Sequence, residues 1–393
     1  MKKKIVIITV IVLSLGLLTS CTKIESGKSQ AKEMAAWSES VNLSDRTSPE
    51  ELYRAALEED TLVVYSVTSR IFDVKKSFEK EYPGLTVDIR DIRSNDIVDK
   101  VLKNYEKGEY ACDLVICSDC DGSFRKELID PGIVYSYIPW DIAPKMKAGH
   151  TDGELVFLGE SMMIIYNNEV FKSQPIDNLW QLTQDSFKGK IIMANPLSSF
   201  STYGFCTSLI AESEAMEKAY EDYFGEVLQV TDGKCAGEIF WEMAAPNIIF
   251  TNSSDEVMES VGDSEGDGIW LGIMISSKLR YQELGYNLSP IYELAPFSAV
   301  YTPNSVTIAG GAKNINSAKL MIRYLLGETN GKGEGLLPFS TAGTWSARTD
   351  VPDGNPIPLS DIDVIYLNKQ YIYESREKMI RLWEELLKEN VVQ

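Results

Sequence analysis

The chain has 393 residues, 44% of them apolar, and 58 acidic against 38 basic side chains give it a formal net charge of −20. Its length suits two lobes with separate cores. The acid excess argues against nucleic acid as a partner, because such binding rests on clustered lysine and arginine.

Residues 1–20 read as a secretory signal: Lys2, Lys3 and Lys4 precede an apolar run from Ile5 to Leu18 that ends in small residues. The run is short of the roughly 20 residues a membrane span needs. Leu18-Thr19-Ser20-Cys21 resembles the bacterial lipobox, which makes Cys21 the expected lipidated first residue of the mature protein and a membrane anchor. Loss of three signal lysines takes the net charge to −23. A flexible tether is expected over 21–45, poor in apolar periodicity. The spacing of Ser48-Pro49-Glu50-Glu51 then predicts a helix from Ser48 to Glu59.

Residues 61–92 read as one strand–helix–strand unit. Leu62 to Tyr65 form a short apolar, β-branched run of the kind buried in a parallel sheet, and Ser66, Thr68 and Ser69 stand at its end. Ile71, Phe72, Val74 and Phe78 recur at helical spacing, Tyr82-Pro83-Gly84 stops the helix, and Leu85, Val87 and Ile89 alternate as a strand. Hydroxyls beside free N–H groups at a helix start suit an anionic ligand group, and equally suit plain helix capping. A helix over 95–107 and a buried strand from Cys112 to Cys117 follow, whose end carries Asp119 and Asp121 ahead of a further helix near Gly122. Two strand ends thus present polar loops on one edge of a sheet, where open α/β folds bind ligands.

Residues 155–168, LVFLGESMMIIYNN, predict a long strand crossing into a second lobe. The corner from Asn195 to Gly204, with Ser199, Ser201 and Thr202, repeats the first design, as does 251–261 with Ser253 and Ser254. Gly268 to Met274 and Leu288 to Tyr292 read as strands, Glu293 to Ala312 as the return crossing, Ser317 to Leu326 as an amphipathic helix, and the tail as helical from about Leu359 with Trp383 packed on the body. Besides Cys21 there are five cysteines. Cys117-Ser118-Asp119-Cys120 has CxxC spacing, but no second pair and no nearby histidine completes a zinc site, so no metal or other cofactor is expected.

The order of these pieces resembles the solute-binding proteins of ABC importers, in the type II periplasmic-binding-protein group of ferric-ion, polyamine and organophosphate binders. The stretches that carry it are VVYSVTSR, FEKEYPGLTVDI, CDLVICSD, IIYNNEVF, FKGKIIMANPLSSFSTYG and SVTIAGGAKNINSAKLMIRYLL followed by ARTDV. The resemblance implies an α/β fold of two lobes, each a mostly parallel sheet flanked by helices, joined by crossing hinge strands. It implies lobe 1 over 46–157, lobe 2 over 158–295, and a return with C-terminal helices over 296–393. A ligand would lie in the interlobe cleft against Ser66, Ser69, Asp119, Ser199, Ser201, Thr202, Ser253, Trp270, Glu293 and Tyr301, with Ser254, Glu160 and Tyr166 nearby. Partners would be an ABC permease and ATPase, and the protein a monomer. Ferric-binding members carry a tyrosine pair after the strand that corresponds to 268–274; here the sequence is Ile275-Ser276-Ser277-Lys278. Hard-metal ligands are lost there, which favours an oxyanion or phosphorylated organic solute, its organic part on Trp270 or Tyr203. Ferric ion and a cationic polyamine- or thiamine-type ligand stand as alternatives. A hydrolase or adhesin is the rival class, but no GxSxG, no HExxH and a single histidine, His150, in a turn-like loop give an enzyme little support.

Overall fold

The computed structural model describes residues 32–230, 233–263 and 268–391; the signal segment, Cys21 and the start of the tether lie outside them. From residue 32 onward the expected flexible tether is instead a docked helix, α1 over 32–40. Met34 is buried, the Trp37 ring meets Tyr135 at 5.5 Å, and Lys319 Nζ donates to the carbonyls of Val41 and Asn42 and to Asp45. Two apolar anchors at i and i+3 suffice to hold a segment whose composition is otherwise polar.

In α2 (Pro49–Ala56), Ser48 and Glu51 cap each other's backbone N–H groups reciprocally. Then come β1 (Leu62–Ser66), α3 (Ile71–Glu81), β2 (Val87–Asp91), α4 (Ser94–Lys107), β3 (Leu114–Ser118), β4 (Val134–Tyr135) and the long β5 (Leu155–Asn167). The helix expected near Gly122 is a single π-helical turn, Phe124–Ile129. The next group is β6 (Ile191–Ala194), α5 (Phe200–Ala211), α6 (Ser213–Phe224), α7 (Ala236–Ala244), β7 (Ile248–Thr251), α8 (Ser254–Gly262), β8 (Leu271–Ile275) and β9 (Leu288–Pro290). The return strand β10 (Ala299–Ala309) precedes α9 (Ile315–Leu325), β11 (Trp345–Ser346), β12 (Val364–Tyr366), α10 (Lys369–Glu374) and α11 (Arg376–Val391).

The strand order is β2-β1-β3-β10-β5-β8-β6-β7. At one end β1 runs parallel to β2 and β3; at the other β6 runs parallel to β7 and β8. The antiparallel pair β5–β10 joins the two halves: Asn304 to Ile308 pair with β3, while Met162 to Tyr166 pair with β8. The result is a two-lobed α/β fold with crossing strands, and the carboxyl ends of both parallel halves face one another.

Each lobe has its own apolar core. Leu62, Val64, Ile71, Val74 and Phe78 gather with α9 in the first; Trp180, Ile191, Phe240, Trp241 and Leu271 gather in the second. Ile372, Met379 and Trp383 belong to the second core, so α10 and α11 cross back onto lobe 2 after β10 and α9 have completed lobe 1. The indole rings of Trp241 and Trp383 meet edge-on at 5.2 Å. All five cysteines from Cys112 to Cys235 are free thiols. Burial pushes the Cys120 thiol up to about 12, which removes the thiolate a redox pair would need. Among the described residues no helix is long and apolar enough to cross a membrane.

Candidate functional site

Between the facing strand ends lies a cleft of about 380 Å³. Hydroxyl-rich corners form its walls because each parallel strand ends where a helix must start, and the first N–H groups of that helix need a partner. Ser199 Oγ accepts the Thr202 N–H and Ser253 Oγ accepts the Glu256 N–H. The amino ends of α3 and α4 from lobe 1, and of α5 and α8 from lobe 2, all border the cleft. Their summed dipoles and free N–H groups favour negative charge there.

Side chains reinforce that sign. Arg70, Arg93, Lys278 and Arg280 line the cleft, against the carboxylates of Asp91, Glu160 and Asp255. Glu160 sits at the floor on the crossing strand β5. Its Oε1 takes Arg70 Nη2 at 2.5 Å and its Oε2 takes Asn304 Nδ2 at 2.9 Å. Burial pushes the Glu160 carboxyl up, but Arg70 foremost, with Ser277 and Asn304, outweighs it and holds the group below its ordinary value. Arg70 comes from lobe 1, Ser277 from lobe 2 and Asn304 from β10, so this one carboxylate ties both lobes to both crossing strands. Arg70 Nη1 is buried without a hydrogen-bond partner among the described residues. Arg280 donates to the Ser277 carbonyl at 2.7 Å and lies over the Tyr281 ring at 4.5 Å. Burial and then the charge of Arg70 hold its pKa below the usual guanidinium range. Lys278 pairs with Asp255.

The structure brings together Ser69, Ser199, Ser201 and Ser253 of the residues singled out from the sequence, with Glu160 and Ser254 beside them. Ser66 is fully buried and closes the corner from within, its Oγ accepting the Thr68 N–H at 3.1 Å. Thr202 is turned inward onto Ser199 Oγ at 2.9 Å. Asp119 is buried behind the wall, where its carboxylate accepts the N–H groups of Phe124 and Arg125 and meets Lys369 Nζ at 3.3 Å. Trp270 lies at the amino end of β8, the end away from the cleft, packed edge-on against Phe171 and Phe187. Glu293 is exposed on the loop after β9. Tyr301 is buried behind the hinge, its OH 3.0 Å from His150 Nε2, and Tyr166 is core. Tyr203 donates into lobe 2 toward the Ile372 carbonyl; the aromatic side chain in the cleft wall is Phe200.

The basic residues are what sequence reasoning missed. A signal existed: Arg70, Arg93, Lys278 and Arg280 each follow a strand end by two to five residues. At Ile275–Lys278, where the sequence departs from the tyrosine pair of ferric-binding members, Ser276 accepts the Ser161 N–H at 2.9 Å and donates to the Gly343 carbonyl. That serine is therefore spent on the wall, and Ser277 faces Glu160.

No family model matches the chain, and no curated protein matches its sequence. Solved structures do match its shape. Iron-bound HitA from Pseudomonas aeruginosa superposes with a TM-score of 0.62 at 15% identity, over 83% of this chain and 99% of that one. AfuA from Actinobacillus pleuropneumoniae, with fructose-6-phosphate bound, gives 0.62 at 19% identity over 84% and 99%. The substrate-binding protein of an ABC transporter from Agrobacterium tumefaciens gives 0.63 at 15% identity over 85% and 95%. With its two parallel half-sheets, crossing strands and interlobe cleft, the chain has the type II periplasmic-binding-protein fold.

Proposed function

We propose that this protein is the solute-capture subunit of an ABC importer, which binds a small anionic solute, foremost a phosphorylated organic compound, in the interlobe cleft and performs no chemistry on it. The observation that carries this reading is the convergence of four helix amino ends and four cationic side chains on one cleft, with a buried Arg70 N–H left without a partner. Ser69, Ser199, Ser201 and Ser253 supply neutral hydrogen bonds around the anion, and Phe200 offers a face for the organic remainder. Arg70 on one lobe and Arg280 on the other give an anion contacts available only when the lobes close, which is how a ligand drives hinge closure. The bound forms of AfuA and HitA hold a sugar phosphate and iron respectively.

Ferric ion is the weaker reading here. Of the three cleft carboxylates, Glu160 and Asp255 are already engaged by Arg70 and Lys278, which leaves Asp91 as the one acidic ligand to offer, and no tyrosine lines the wall among the described residues. A bare cation would also meet four like charges. Extracytoplasmic placement by a lipid on Cys21, delivery to a permease and ATPase, and a monomeric state complete the proposal.

Native mass spectrometry of protein purified without refolding should reveal any carried solute. Thermal-shift titration with inorganic phosphate, fructose 6-phosphate, ferric citrate and spermidine then tests class. A ligand at about a hundred times its Kd raises stability by ~2.7 kcal/mol. Stabilisation by ferric citrate or spermidine with no response to either phosphate compound would overturn the anion reading.

A further inference from the structure

Behind the cleft wall the two lobes meet in a second place, away from the hinge strands. Lobe 1 contributes an acidic corner made of the loop after β3, the π-helical turn and the start of β5: Asp119, Asp121, Glu127 and Glu154. Lobe 2 contributes α10 and α11, which its core holds through Ile372, Met379 and Trp383, and which a 2.7 Å pair from Lys378 to Glu238 pins further. Lys369 Nζ lies 2.6 Å from Glu154 and 3.3 Å from Asp119. Arg376 Nη1 lies 3.7 Å from Asp121 and 4.0 Å from Glu127, and its guanidinium covers Phe200 at 5.8 Å, the same ring that lines the cleft.

Backbones touch at this seam as well. A Cβ on Gly122 would stand 2.4 Å from the Lys369 carbonyl oxygen, and one on Gly204 of α5 would stand 2.5 Å from that of Cys120. Glycine on each side lets the lobes come this close. One group is left unfinished: Asp121 is 2% exposed, its Oδ1 accepts from Ser123, and its Oδ2 has no hydrogen-bond partner among the described residues, with Arg376 just beyond reach. A buried carboxylate oxygen in that state favours any lobe movement that seats the guanidinium on it.

We infer that α10 and α11 form an electrostatic latch across the lobes, in which Lys369 and Arg376 grip the acidic corner of lobe 1 and limit how far the cleft can open. The burial of Lys369 lowers its pKa, but Asp119 and Glu154 outweigh that and keep it charged through the physiological range. The latch never touches a ligand, yet it sets the population of the binding-competent arrangement and therefore the apparent affinity. It rests on the proposed function only in taking the lobes to move; its test needs no ligand, so it stands or falls whether or not an anion binds.

The test compares ligand-free full-length protein with Arg376→Gln and Glu127→Gln, two partly exposed positions on opposite faces of the seam. Small-angle scattering should give a larger radius of gyration for each variant than for wild type. Hydrogen exchange should speed up by about two- to fivefold at amides of 119–127 and 371–376, while the turn around Trp383 keeps its protection. The double variant should change little more than Arg376→Gln alone, because the ion pair that Glu127→Gln removes is one of those that Arg376→Gln already abolishes. Unchanged scattering and exchange, additive effects, or loss of protection at Trp383, which would mean fraying of the helix pair, each overturn the latch.

Discussion

Replacing Arg70 by methionine removes the cation at the cleft floor and keeps much of its apolar stem. Glu160 then remains with only neutral partners, Asn304 and Ser277, at 8% side-chain exposure. Stripping one partner from a buried pair costs about 3–5 kcal/mol. The pH dependence follows from the sign of the shift. In the wild type Glu160 is held below its ordinary 4.5, so it adds stability above that pH, and the contribution fades as pH falls through the lower folded value. Without Arg70, burial is the dominant influence and lifts the folded value above 4.5. Ionised Glu160 now penalises folding at high pH, and protonation relieves the penalty as pH falls. Urea unfolding followed by tryptophan fluorescence should thus show a gap between R70M and wild type that is wide near pH 8 and narrows toward pH 5. The double variant R70M/E160Q should recover to within about 1–2 kcal/mol of wild type, because no charge is left stranded. A gap independent of pH, or strictly additive losses in the cycle, refutes the assignment of Glu160 as the counter-charge of Arg70.

Arg280→Gln should weaken binding of inorganic phosphate or fructose 6-phosphate by ~10- to 150-fold in calorimetric titration, the worth of a charge-assisted hydrogen bond of about 1.5–3 kcal/mol, while Trp270→Phe, whose ring lies at the other end of β8, should leave the Kd within about twofold. His150→Ala should likewise leave phosphate affinity nearly unchanged, since the imidazole faces Tyr301 behind the hinge; a tenfold loss would place it in the site after all. Burial holds the His150 pKa below its ordinary 6.5, with the Ala148 carbonyl opposing, so its contribution to stability is present above that pH and is lost as pH falls through the lower folded value. In lobe 1, two hydrogen bonds from the fully buried Arg323 at 2.6 and 2.7 Å hold Asp141 at about 2, so roughly 2 kcal/mol of stability should disappear between about pH 4 and pH 2 and should be missing from Asp141→Asn at neutral pH. Chemical denaturation across that range checks it.

The fold was legible because its signals are local and repeated. Leu62–Ser66 and Leu114–Ser118 are short β-branched runs that end in serine, Ile191–Ala194 is a third such run that leads into the serine-rich corner before α5, and Ser48, Ser199 and Ser253 each cap the helix they precede. The site was legible in position but only partly in its residues. Ser66 and Thr202 share the corners of Ser69 and Ser201, yet alternation and helical phase turn them inward, and sequence spacing does not tell which hydroxyl of a tight corner faces out. The charge of the cleft was hidden for a different reason. Arg70 meets Glu160 across 90 residues, and the −20 of the whole chain says nothing about the sign inside one cleft. The destination of α10 and α11 was also hidden, because an amphipathic helix declares which face it buries but not on which lobe.

Similarity to known structures at 15–19% identity with 95–99% coverage of their chains has a physical basis in how the cleft is made. Its base layer is backbone: strand ends, helix amino ends and capping hydroxyls, which many sequences can supply and which bind negative charge or polar groups without any particular side chain. On the proposed reading, ligand choice sits in a thin second layer, the two to five residues after each strand end, where this chain has Arg70, Arg93, Lys278 and Arg280. Such a division lets the fold outlast its ligand specificity. It also accommodates Ser276 where the resemblance places a tyrosine in ferric-binding members: its hydroxyl joins Ser161 and Gly343 in the wall, so the position serves the scaffold, and on the proposed reading selection among anions falls to the arginines and the lysine around it.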